Sequence, residues 1–99
     1  MARFQLFANP ENEGLLLDVQ SDLIDVVQTR VVIPLLPAEH VPPAVPRLHP
    51  MFDVGDQRYV MATHLIATVP STLLLEPRGD LSQHHDAVTA ALDMLFQGF

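Results

Sequence analysis

The 23 residues from Leu15 to Pro37, LLLDVQSDLIDVVQTRVVIPLLP, leave this chain few ways to fold. They hold two apolar runs, Leu15–Val19 and Val26–Leu36. In the first, Leu15, Leu17 and Val19 alternate with Leu16, Asp18 and Gln20. A period of two is that of a half-buried strand. In the second, Val31 and Ile33 fall on one face and Val32 on the other. Such β-branched side chains suit a pleated surface, where their stiff χ1 costs little. Between the runs lies Gln20–Asp25, in which Ser21 and Asp22 can bond nearby backbone and turn the chain. A turn has no use for the adjacent pair Leu23-Ile24. Their side chains diverge if the segment is extended, so one is expected to cap the core while the other stays exposed.

The remaining chain reads in the same terms. Arg3–Ala8 is a first strand, joined to Leu15–Val19 as a hairpin through the turn-forming residues Asn9–Gly14. Phe7 then packs on the opposite face from Phe4 and Leu6. Pro34 lacks an N–H and is expected at a sheet edge or strand end. From Pro34 to Pro50 lie six of the nine prolines, which excludes helix and predicts an irregular arm with short edge strands around Ala44–Leu48. Pro43-x-x-Pro46 has the minimal spacing of a proline ligand but reads as part of that arm. Gly55-Asp56 is a hairpin turn between Met51–Val54 and Gln57–Thr63. His64–Val69 extends the sheet, Pro70-Ser71 breaks it, Thr72–Leu75 is a last strand, and Glu76–Gly79 closes it. The period then changes. Leu81, Ala87, Val88, Ala91, Leu92, Leu95 and Phe96 form the apolar stripe of a helix. Asp80 or Ser82 is its N-cap, and Gly98 sits where a left-handed C-terminal residue belongs. The expected fold is mainly β, a small barrel or sandwich, with a C-terminal helix laid on it.

A chain of 99 residues makes one domain, residues 1–99. Its longest apolar run is broken by prolines before the roughly 20 residues needed to span a bilayer. There is no signal-peptide pattern and no cysteine, so a cytoplasmic protein without thiolate chemistry or disulfides is expected. The formal charge is −7, and all five basic residues are Arg. Affinity for nucleic acid comes largely from cationic contacts, so the expected partner is another protein. His84-His85-Asp86 does not read as a metal site, because adjacent helical side chains point about 100° apart. No cofactor is expected.

Several segments together resemble the CcdB toxin family. They are LLLDVQSDLIDVVQTRVVIPL at 15–35, Val69-Pro70, GDLSQHHDAVTAALDMLF at 79–96 and the Gly-aromatic ending, so the similarity runs from Phe4 to Phe99. Asp18–Asp25, DVQSDLID, is its most specific piece. The resemblance implies an SH3-like barrel shared with MazF-type toxins, a homodimer, and no covalent chemistry. It implies a toxin that binds the DNA gyrase A subunit and traps gyrase on cleaved DNA. A CcdA-like antitoxin would neutralise it and carry the complex to operator DNA, the autoregulation typical of plasmid-maintenance modules. Carried over residue by residue, the gyrase-binding face comprises Phe4, Phe7, Ser21, Leu23, Ile24, Asp93, Gln97, Gly98 and Phe99.

The chain departs from the family pattern at its tip. Trp-Gly-Ile is replaced by Gln97-Gly98-Phe99, and an Asn by Asp93. Truncating an interface Trp often costs ~2 kcal/mol or more, roughly 30-fold in affinity. The alternative reading is therefore a CcdB-like protein that keeps its antitoxin but poisons gyrase weakly or not at all. A MazF-like endoribonuclease would need a cationic groove that five Arg in an acidic chain do not supply.

Overall fold

The computed structural model describes residues 2–42 and 45–99. Its strands are β1 (Gln5–Ala8), β2 (Leu15–Asp18), β3 (Thr29–Pro37), β4 (Met51–Val54), β5 (Gln57–Met61), β6 (Ala67–Pro70) and β7 (Pro77–Asp80). They pair antiparallel in the order β4-β5-β3-β2-β1-β7, with β6 on the first half of β3. The sheet curls into a half-barrel, and one helix, α1 (His85–Gln97), follows it. Fold class thus agrees with the sequence reading. Among the described residues no helix is long and apolar enough to cross a membrane.

β2 is the centre of the packing. The strand was expected to be half-buried, yet all four of its residues are buried. Leu15, Leu17 and the following Val19 join Leu6, Ile33, Leu35, Phe52 and Met61 in the main core, which α1 completes with Val88 and Ala91. On the other face Leu16 packs with Phe7, Val32 and Leu74. Asp18 is buried by a two-pronged ion pair with Arg30, Nε to Oδ2 at 2.8 Å and Nη2 to Oδ1 at 2.9 Å.

β3 starts three residues later than the apolar run suggested. Its partner β6 ends at Pro70 opposite Thr29, and β2 stops at Asp18 opposite Val32. Beyond the Gln28 carbonyl, which accepts the Ser71 N–H at 2.9 Å, the pairing ends, and Val26 and Val27 lie exposed. Pro34, expected at an edge or end, sits inside β3. There the strand changes partner, from β6 at Thr29–Val32 to β5 at Leu35–Pro37. A missing N–H is tolerated at that gap, and the Pro34 carbonyl accepts the Ala62 N–H at 2.9 Å.

The β4–β5 hairpin turns at Gly55-Asp56 as read, with Val54 opposite Gln57. The proline-rich arm is irregular. Val45–Leu48 form a turn, not the expected edge strand, while Pro43 and Ala44 lie outside the described residues. Thr72–Leu75 is not a strand either. Ser71–Leu73 is a 3-10 turn. The last strand is β7, drawn largely from the segment read as a closing turn. It pairs the free edge of β1 with a bulge, Leu6 opposite Gly79 and Phe7 opposite Pro77. An exposed, bulged edge accommodates Pro and Gly where an inner strand would not. Ser82–His84 form a 3-10 turn ahead of α1. Asp80 accepts the Ser82 backbone N–H at 3.0 Å. The Ser82 hydroxyl, then that backbone N–H, hold the Asp80 carboxyl below its ordinary range. The residue preceding α1, His84, makes no side-chain cap.

Candidate functional site

Three groups of residues assemble the candidate surface. The first is the loop between β2 and β3. The Ser21 hydroxyl accepts the Leu23 N–H at 3.2 Å, and the Ser21 carbonyl accepts the Ile24 N–H at 3.0 Å. This is the local turn that Ser21 promised. Asp22 acts at longer range, accepting the Arg3 N–H at 2.8 Å. Leu23 and Ile24 are 93% and 49% exposed, so neither caps the core. Val26, 88% exposed, and Val27 extend the same apolar surface. Their place in an apolar run made the sequence reading put them in a strand. The signal that they belong here was their closeness to Leu23-Ile24.

The second group is Arg3-Phe4. Phe4 has φ 73°, rare for a bulky residue and a source of local strain. Surrounding bonds hold it there. Its N–H donates to the Asp18 carbonyl at 2.6 Å, and its own carbonyl accepts the Leu81 N–H at 2.8 Å. The ring packs partly against the main core, 6.4 Å from the His85 ring. The Arg3 guanidinium lies 4.8 Å above it. Phe4 therefore ties β2 to the approach of α1, beside the loop that Arg3 and Asp22 hold.

The third group is the end of α1. Gly98 takes the left-handed conformation, φ 80° and ψ 11°, and its N–H donates to the Met94 carbonyl at 3.0 Å. This cap terminates the helix as the sequence suggested. Phe99, 68% exposed, and Phe96 stand in solvent with Gln97 beside them. Phe96 was read as part of the buried stripe and is not. Asp93 is half-buried and joins none of the ion pairs among the described residues.

Phe7 belongs to none of these groups. It is 3% exposed, beneath Leu16, Val32 and Leu74, and cannot offer its ring to a partner in this conformation. Its placement among the binding residues is corrected to the second core. Among the described residues no hydrogen bond joins the loop group to the helix end.

Matching the chain to known families decides its kinship. The family model described as CcdB protein matches residues 3–98. This chain belongs to the CcdB family. CcdB proteins are toxins of toxin–antitoxin pairs, of the gyrase-poison type. The matched span includes all three groups except Phe99. Three of the five Arg side chains are taken up in ion pairs. Arg30 is consumed by Asp18, Arg58 pairs with Asp53, and Arg78 pairs with Glu76. The Arg58 pairing holds the Asp53 carboxyl below its usual range. Among the described residues no group of three or more His, Asp or Glu is placed to hold a metal.

Proposed function

We propose that this CcdB-family protein binds the A subunit of DNA gyrase and stabilises the complex of gyrase with cleaved DNA. It performs no covalent chemistry, acts as a homodimer, and is neutralised by a CcdA-like antitoxin. The observation carrying this reading is the exposure of Leu23, Ile24 and Phe99 at positions the family resemblance assigns to gyrase. Large aliphatic and aromatic side chains left in water are unusual outside interaction sites when they cluster. On this reading Ser21, Leu23 and Ile24 form one half of the contact. Asp93, Gln97, Gly98 and Phe99 form the other, with Phe4 at the margin of the loop. Deleting Gln97–Phe99 tests it. The truncated protein should fold and bind the antitoxin as before, while gyrase affinity falls about 30-fold or more, the scale of losing an aromatic anchor. Unchanged affinity for the gyrase A subunit would remove the helix end from the contact.

A second reading rests on Gln97, which stands exposed where the family pattern has Trp. A carboxamide can hydrogen-bond but does not fill an apolar slot. On this reading the antitoxin is retained and gyrase poisoning is weak or lost.

A further inference from the structure

Every residue from Asp22 to Gln28 is exposed, so the loop that carries Leu23 and Ile24 has no apolar anchor of its own. Polar contacts give it its shape: Ser21 forms the turn, Asp22 holds Arg3, and Gln20 ties the loop to the sheet. The Gln20 N–H donates to Asp18 Oδ1 at 3.1 Å, and its carbonyl accepts from Arg30 Nη2 at 3.3 Å. Its side chain then forks. Oε1 accepts the Val31 N–H at 3.1 Å, and Nε2 donates to the Ile24 carbonyl. One half-buried residue thus links β2, β3 and the loop tip, with all four of its polar groups engaged.

The chemistry suits an amide. Val31 needs an acceptor and Ile24 needs a donor, and a carboxamide supplies both from one planar group. A carboxylate would keep the first bond and turn a second acceptor against the Ile24 carbonyl. The Asp18–Arg30 pair gains a purpose from the same geometry. A buried ion pair contributes little net stability after desolvation. Here it fixes the backbone from which the fork projects.

We propose that Gln20 is the positioning residue of the loop, setting the shape in which Leu23 and Ile24 are presented, with Asp18 and Arg30 as its seat. The inference rests on the gyrase reading for what that shape serves. A loop ordered before contact avoids the ordering cost otherwise charged against affinity.

The test compares wild-type protein with Gln20→Glu in two assays. In the first, thermolysin cleavage between Leu23 and Val27 is followed under native conditions. Cleavage should quicken about fivefold to tenfold in the variant, as expected for losing one loop-closing hydrogen bond. Equal rates would overturn the proposal, whatever gyrase does. In the second, affinity for the isolated gyrase A subunit should fall by a similar factor, while antitoxin affinity stays constant. Faster cleavage with unchanged gyrase affinity would overturn the role in recognition. Wild-type protein that does not bind gyrase would sink the functional reading, and the cleavage comparison would still decide whether Gln20 shapes the loop. Should Gln20→Glu fail to fold, exchange of side-chain amide protons in the wild type decides. Those of Gln20 should exchange about tenfold more slowly than those of exposed Gln97, and equal exchange would overturn the proposal.

Discussion

His49 shows how one side chain can make the fold sensitive to pH. It is buried where the proline-rich arm returns to the sheet. Its Nδ1 accepts the Val45 N–H at 3.1 Å, so the neutral ring carries its proton on Nε2. That nitrogen lies 2.8 Å from His64 Nδ1 and donates to it. Protonating His49 would replace an acceptor with a donor facing an N–H. Burial first, and the neighbouring His64 second, lower its pKa below the ordinary 6.5. In the unfolded chain His49 takes up a proton near that ordinary value, while in the folded protein it does so only at lower pH. The unfolded state therefore binds more protons in that window, and stability falls as pH drops through it. Urea midpoints measured from about pH 8 to about pH 5 should decline below neutrality, and His49→Gln should flatten the decline. An equally steep decline in the variant would assign the effect elsewhere.

The same scale shows what single residues disclosed. Leu23-Ile24 was conspicuous because a turn does not need two large aliphatics, and both are exposed. The alternation in the first strand put Phe7 on the face opposite Leu6, and it packs there under Leu74, which the chain supplies 67 residues later. Gln20 carried no local signal. Its importance comes from Asp18, Arg30, Val31 and Ile24 meeting in space.

At the scale of elements, strands with a clear alternation were legible, and so was the helix with its Gly98 end. β7 was not, because Pro77-Arg78-Gly79-Asp80 has the composition of a turn and pairs only because β1 leaves an edge open. Starts and ends were set by partners: β3 begins where β6 can meet it, not where its valines begin. The β1–β2 connection has a tighter constraint. A Cβ on Gly14 would lie 2.4 Å from the Leu35 carbonyl oxygen and 2.9 Å from Asn12 Oδ1. The obstructing carbonyl is backbone in the central strand and has little room to yield. Gly14→Ala should therefore destabilise by about 1–3 kcal/mol, the usual range for overpacking. Chemical denaturation checks this, and a change below about 0.5 kcal/mol would mean that the loop shifts freely.

At the scale of the molecule, an acidic half-barrel exposes apolar side chains on the β2–β3 loop and at the end of α1, and also at Leu65, Leu73 and Leu75. Among the described residues no hydrogen bond joins the loop to the end of α1. On the proposed reading, Phe99 and the loop take the part that a terminal Trp plays in the family pattern. The most direct test is a DNA cleavage assay with purified protein and gyrase from the same source, with and without ATP. Linear plasmid should accumulate with added protein and disappear when the antitoxin is supplied. Neither cleavage nor inhibition of supercoiling, from folded protein that still binds its antitoxin, would contradict that reading.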